Sequence, residues 1–138
     1  MKIIFVLSGV CLFAVMTLAL PGGTPARITD YVKKKQVSFS AKAADMQRAI
    51  SLIDVREPGT LECAKEALKE CRISYKQLAF FMEYFFASEA YVFNSPPKYE
   101  IDEPYIEYEA PVGLQEIESL LYDTAVYTRK KELMAQAE

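Results

Sequence analysis

No histidine occurs among the 138 residues, so the chain lacks the side chain that most often serves as acid/base near neutral pH and as transition-metal ligand. Chemistry here must rest on carboxylates, amides and tyrosines. An enzyme acting through these residues alone ranks behind the other readings, and peptidase activity in particular lacks a histidine base, a nucleophile pair or a zinc set. Cysteine is scarce as well, with Cys11, Cys63 and Cys71 only. None lies in a Cys-x-x-Cys-His haem-attachment motif. Eight residues of helix separate Cys63 from Cys71 by about 12 Å, beyond disulfide reach, and both are expected as small buried apolar residues. Basic residues thin out after the start. Residues 1–42 hold six of them against one acid, leaving ten basic and eighteen acidic residues in the remainder, a net charge of −8. Such a body does not grip nucleic acid through its phosphates. The Lys33-Lys34-Lys35 cluster reads as a solvated leader.

Lys2 is followed by an apolar run from Ile3 to Leu20 and then by Pro21-Gly22-Gly23. A charged start, an apolar middle and small residues near a cut form the pattern of an export signal. Thr17-Leu18-Ala19 places small residues at the two decisive positions, so residues 1–19 are expected as a signal peptide and 20–41 as a leader. The protein is then exported, periplasmic or secreted. It touches a membrane only if the run stays uncleaved, since about 18 apolar residues can just span a bilayer.

Beyond the leader the pattern is all-α. From Lys42 to Val55, the residues Ala43, Met46, Ala49, Ile50 and Ile53 fall on one helical face, and Glu57-Pro58-Gly59 stops the helix. Thr60 is expected to cap the next, with Glu62 at the positive end of its dipole. Ala64, Leu68, Cys71, Tyr75, Leu78, Met82 and Phe85 then recur at steps of four and three, which predicts one long helix to about Phe93. Its aromatic residues, Phe80, Phe81, Tyr84, Phe85, Phe86, Tyr91 and Phe93, surround more than one face, so neighbours are required on several sides. Glu89 continues the stripe four residues beyond Phe85. An acid on an apolar face is paired, a ligand, or beyond the buried region.

Asn94-Ser95-Pro96-Pro97 ends that helix. The stretch to Pro111 carries Glu100, Asp102, Glu103, Glu107 and Glu109 against Lys98, with Tyr99, Tyr105 and Tyr108 interleaved. It is expected as a long acidic, proline-containing crossover loop with at most a short extended piece near Tyr99 and Ile101. The spacing lacks the order of an EF-hand. A helix from Gly113 to Tyr122 places Leu114, Ile117 and Leu121 on one stripe. It sets Gln115 and Glu118 three residues apart, where they can meet or converge on one point. That spacing suits a structural polar pair or a ligand site. A last helix is expected over Asp123 to Glu138.

The path from Tyr84-Phe85-Phe86 through Asn94-Ser95-Pro96-Pro97 and the acidic loop leads to Pro111-Val112-Gly113-Leu114-Gln115-Glu116-Ile117-Glu118-Ser119-Leu120-Leu121, followed downstream by Lys130-Lys131-Glu132-Leu133. Over roughly residues 75–134 this series resembles the imelysin-type helical domain. It is most similar to the version that precedes a di-haem cytochrome c peroxidase in some exported bacterial proteins. The resemblance implies that residues 42–138 form an imelysin-like domain, incomplete at its C-terminus. The fold implied is a partial bundle of up-and-down antiparallel helices. Imelysin-family proteins are associated with iron uptake or periplasmic metal binding through Gly-x-His-x-x-Glu. Gly113 and Glu118 match the ends of that motif, and Gln115 stands at its histidine.

Two functions follow as expectations. In one, the chain is the non-catalytic N-terminal module of an exported di-haem peroxidase. Haem c and the peroxide-reducing residues would then lie in a further C-terminal part, and the partners would be the remaining helices and the haem domain. In the other, it is a standalone imelysin-like protein, alone or with a dimer partner, that binds iron through Glu118, with Glu89 and tyrosines such as Tyr122 as further ligands, since iron(III) favours oxygen ligands. No cofactor is expected within the residues at hand under the first reading.

Overall fold

A computed structural model describes residues 24–102 and 105–138. The expected signal peptide therefore lies outside the described residues. Contacts divide the chain after Lys33, within the first helix, and the packing described below belongs to the unit that begins at Lys34. The protein is mostly helical, with five helices among the described residues: α1 (Thr24–Ser51), α2 (Pro58–Phe85), α3 (Ala87–Phe93), α4 (Leu114–Leu121) and α5 (Lys130–Ala137). Between α3 and α4 lie four short strands, β1 (Asn94–Ser95), β2 (Lys98–Asp102), β3 (Tyr105–Glu109) and β4 (Val112–Gly113). Among the described residues no helix is long and apolar enough to cross a membrane.

The helix expected from Lys42 begins at Thr24. The apolar period explains the difference, for it runs back from Met46 through Ala43 to Phe39 at steps of three and four. Phe39 packs on Tyr75 and Phe93, with ring centroids 5.6 and 5.9 Å away. After α1 the chain turns at Asp54 to Glu57. Helix α2 opens with Pro58 in its first turn, where its missing N–H costs nothing. Thr60 is not the cap that the sequence suggests. Its hydroxyl donates to Glu57 O at 2.6 Å and accepts the Asp54 N–H at 3.0 Å, so it ties the turn from within the helix.

The single long helix expected to Phe93 is two helices, broken at Phe86, whose φ of −139° is extended. No glycine or proline causes the break. On a straight helix Phe93 would lie about 27 Å from Tyr75, whereas their ring centroids are 6.3 Å apart. The buried Tyr75 hydroxyl also donates to Ala90 O at 3.4 Å. Folding α3 back covers Tyr75 and buries Ala90, and that tertiary gain outweighs two lost turns of helix continuity.

The core collects one stripe from each helix. Met46, Ile50 and Ile53 come from α1 and its C-terminal turn, Ala64, Leu68, Cys71 and Tyr75 from α2, and Leu114, Ile117, Leu120 and Leu121 from α4. Val126 and Leu133 close it. Burial drives this assembly, at about 1.5–3 kcal/mol for each large aliphatic side chain taken out of water. Cys71 belongs to this core, and burial pushes its thiol up to about 11. Cys63 does not. It is exposed, contrary to the expectation that both cysteines are buried, because it sits one residue before the buried stripe position Ala64.

Two further corrections concern the second half. The expected crossover loop is a hairpin, in which β2 and β3 pair antiparallel over five residues each, because Tyr99, Ile101, Ile106 and Tyr108 alternate with polar residues at the period of a strand. The helix expected from Asp123 starts only at Lys130. Asp123 Oδ1 accepts the Ala125 N–H at 2.9 Å and its Oδ2 meets Arg129 at 2.6 Å, so its side chain holds a turn in competition with helix. Lys130 then donates to Ser51 O and Ile53 O at 2.8 and 2.7 Å, occupying carbonyls that the end of α1 leaves unpaired.

The same turn makes acid stability testable. The Ala125 N–H, followed by the Arg129 guanidinium, holds the Asp123 carboxyl below its ordinary value. A carboxyl depressed in the native state contributes fully above its unfolded value of about 3.9, and the contribution is lost as pH falls through the depressed one. Asp123→Asn should therefore be less stable than wild type near neutrality, with the gap closing as pH drops below about 4. Urea melts across that range would check it. A gap that stays constant would show that the carboxylate charge is not what holds the turn.

Candidate functional site

The segment that the sequence singles out begins at a backbone crossing. Strand β4 pairs with β1, placing Gly113 opposite Asn94 and Val112 opposite Ser95. Gly113 has φ 63° and ψ −126°, the first central geometry of a type II′ turn, which favours glycine. It also lies against the end of α3, where a Cβ at this position would stand 2.2 Å from the Phe93 carbonyl oxygen. Only glycine lets β4 approach so closely. That contact fixes where α4 starts.

From this start α4 turns Leu114, Ile117, Leu120 and Leu121 into the core and leaves Gln115 and Glu118 half-buried. The two do not share a partner. Gln115 Nε2 donates to Asn94 Oδ1 at 3.2 Å, tying α4 to β1, while Glu118 forms an ion pair with Arg72 of α2. Each therefore locks α4 to a different element. Glu89, the other residue considered as a ligand, is exposed in the first turn of α3. It lines neither of the hollows described next.

Two adjoining hollows share Glu118 and Tyr122. The first, of about 280 Å³, runs along α2, where Lys65, Lys69, Arg72 and Lys76 form its wall. The second, of about 440 Å³, lies toward the hairpin and is bordered by Pro97, Tyr108, Pro111, Gln115 and Ser119. The cations are held in place. Lys65 Nζ lies 2.8 Å from Glu62 and 4.8 Å from the centre of the Tyr122 ring. Its ammonium is raised above the ordinary value, chiefly by the Glu62 hydrogen bond. Lys69 bonds Glu66 at 3.0 Å and is raised for the same reason.

This arrangement bears directly on metal chemistry. The guanidinium of Arg72 already takes the place beside the Glu118 carboxylate that a cation would need. Among the described residues no group of three or more cysteine, aspartate or glutamate side chains converges to hold a metal ion. What the site offers is a cationic wall facing tyrosines, suited to anionic groups.

Sequence reasoning missed the partners, Arg72 and Asn94, because each lies more than twenty residues from the side chain it engages. The cationic wall itself was legible. Lys65, Lys69, Arg72 and Lys76 follow at steps of four, three and four, which is one face of a helix. Comparison with protein-family models, with curated proteins and with solved structures finds no match to this chain.

Proposed function

We propose that this chain is a non-catalytic helical docking module, the N-terminal part of an exported protein whose further portion carries the haem groups of a di-haem cytochrome c peroxidase. One observation supports a docking role above the others. At the end of α2, Phe80, Tyr84, Phe85 and Phe86 are 58, 81, 63 and 45% exposed, and Phe81 meets Phe85 and Phe86 at ring distances of 4.9 and 5.8 Å. Tyr84 adds a fourth ring, 4.7 Å from Phe85. A contiguous aromatic patch of this kind marks an interaction surface, and its rings supply large contact area at little cost in side-chain entropy.

On this reading the occupants of the patch are the helices that complete an up-and-down antiparallel bundle and the haem-bearing portion beyond them. Catalysis belongs to that portion. The module contributes the aromatic face at the end of α2, where the chain breaks at Phe86 and α3 folds back. The test begins with the gene. Reading on past codon 138 should reveal Cys-x-x-Cys-His motifs, and an intact gene that stops without one overturns the proposal. If the motifs are there, Phe85→Ser with Tyr84→Ser should weaken docking to the separately produced haem portion at least about tenfold while leaving the helical circular dichroism unchanged.

A further inference from the structure

A second surface of the molecule is complementary to itself. In the hairpin, Glu100 stands directly across from Glu107, and both are exposed. Neither has an ion-pair partner among the described residues. Like charges placed directly opposite destabilise a strand pair, and a lone two-stranded hairpin is marginal to begin with. Glu109 on the same strand differs, since Lys98 lies 3.8 Å away and the Tyr91 hydroxyl donates to it at 3.4 Å. Glu100 and Glu107 are thus left facing each other with no cation paired to either among the described residues.

The α2 wall offers the opposite charge at its Lys76 end. Lys65, Lys69 and Arg72 have acidic partners of their own, whereas Lys76 has no ion pair among the described residues. Hairpin and wall also adjoin. Tyr108 borders the hollow that shares Glu118 and Tyr122 with the cationic groove, so a two-fold axis beside Tyr122 could bring each hairpin to the other copy's groove.

We infer that this groove, at its Lys76 end, takes the Glu100 and Glu107 face of the hairpin of a second copy of this chain, two copies exchanging hairpins about a two-fold axis. The interface is isologous, the commonest form of homo-oligomer, and each copy supplies both the cation and the carboxylates. It is separate from the aromatic patch. Docking to a haem portion and self-association therefore stand or fall independently.

Sedimentation velocity on the purified chain reads the outcome. Wild type should form a dimer that weakens as salt rises, because partly exposed charge pairs are screened. Lys76→Glu, or Glu100→Lys with Glu107→Lys, should each weaken the dimer at least about tenfold, as like-charge contacts at an interface do. An equimolar mixture of the two reversed proteins should restore it, since both exchanged contacts are again of opposite sign. Glu100→Gln with Glu107→Gln serves as the folding control, expected to melt no lower than wild type yet associate more weakly. A monomeric wild type overturns the inference. So does a dimer indifferent to both reversals, a mixture that stays monomeric, or a dimer abolished only by Tyr84→Ser and Phe85→Ser.

Discussion

Gly113→Ala should cost at least about 3 kcal/mol, a large part of the roughly 5–15 kcal/mol that holds a small domain together. Two penalties coincide at this residue. Its backbone, at φ 63° and ψ −126°, is strained for any residue with a Cβ, at about 1–2 kcal/mol. The new methyl would also stand 2.2 Å from the Phe93 carbonyl oxygen and 2.5 Å from the Val92 oxygen, both backbone atoms that no rotamer change can move. Relief requires β4 to leave β1, and α4 goes with it, taking Leu114 and Ile117 out of the core. Gly59 provides the contrast. A Cβ there meets nothing within 4 Å, so Gly59→Ala should be neutral or stabilise by up to about 1 kcal/mol. Chemical denaturation of both variants checks the pair, and a Gly113→Ala protein as stable as wild type would mean that β4 does not cross α3 as closely as described.

Leu133→Ala should be the next most damaging change, at about 3 kcal/mol. Helix α5 is only eight residues long, below the length at which a helix persists alone in water, and Leu133 is its one buried side chain. That side chain is fully enclosed, so truncation loses both its transfer energy and the packing around the cavity left behind. Lys130 on Ser51 O and Ile53 O and the partly buried Ala137 also attach α5, but neither replaces the lost anchor. The signature should be local. Hydrogen exchange ought to accelerate most across residues 130–137, and an effect spread evenly over α2 and α4 instead would argue that α5 is integral to the core.

The two variants mark the boundary between what local pattern reveals and what it hides. The stripes of α1, α2 and α4 were legible, because apolar residues at steps of three and four have one low-energy arrangement, a helix with that face buried. Met46, Ile50, Leu68, Cys71, Tyr75, Leu114 and Ile117 all lie in the core as their spacing requires. The hairpin was half legible. Tyr99 and Ile101 hinted at extension, but pairing with Ile106 and Tyr108 depends on register across a turn, and the abundance of acids and prolines disguised it.

The site followed the same division. Gly113 stood out as part of a proline-glycine lead-in, yet nothing in the sequence says that its Cα must pass beside Phe93. Gln115 and Glu118 drew notice by their spacing of three, which suits either a shared ligand or polar ties from this helix to a neighbour. The ties run to Asn94 and Arg72, partners brought within reach only once α4 had docked on α2 and β1.

By itself, then, the sequence determined the helical class, the buried stripes, the acidic balance and the absence of imidazole chemistry, since each depends on residue type and short-range periodicity alone. Tertiary structure decided the break at Phe86, the hairpin, the partners of Gln115 and Glu118 and the placing of Tyr122 against the cationic wall. These depend on contacts between residues far apart in the chain, where the energy of burying Tyr75 and Ala90, with the Phe93 ring packed on Tyr75, outweighs the local preference to continue a helix.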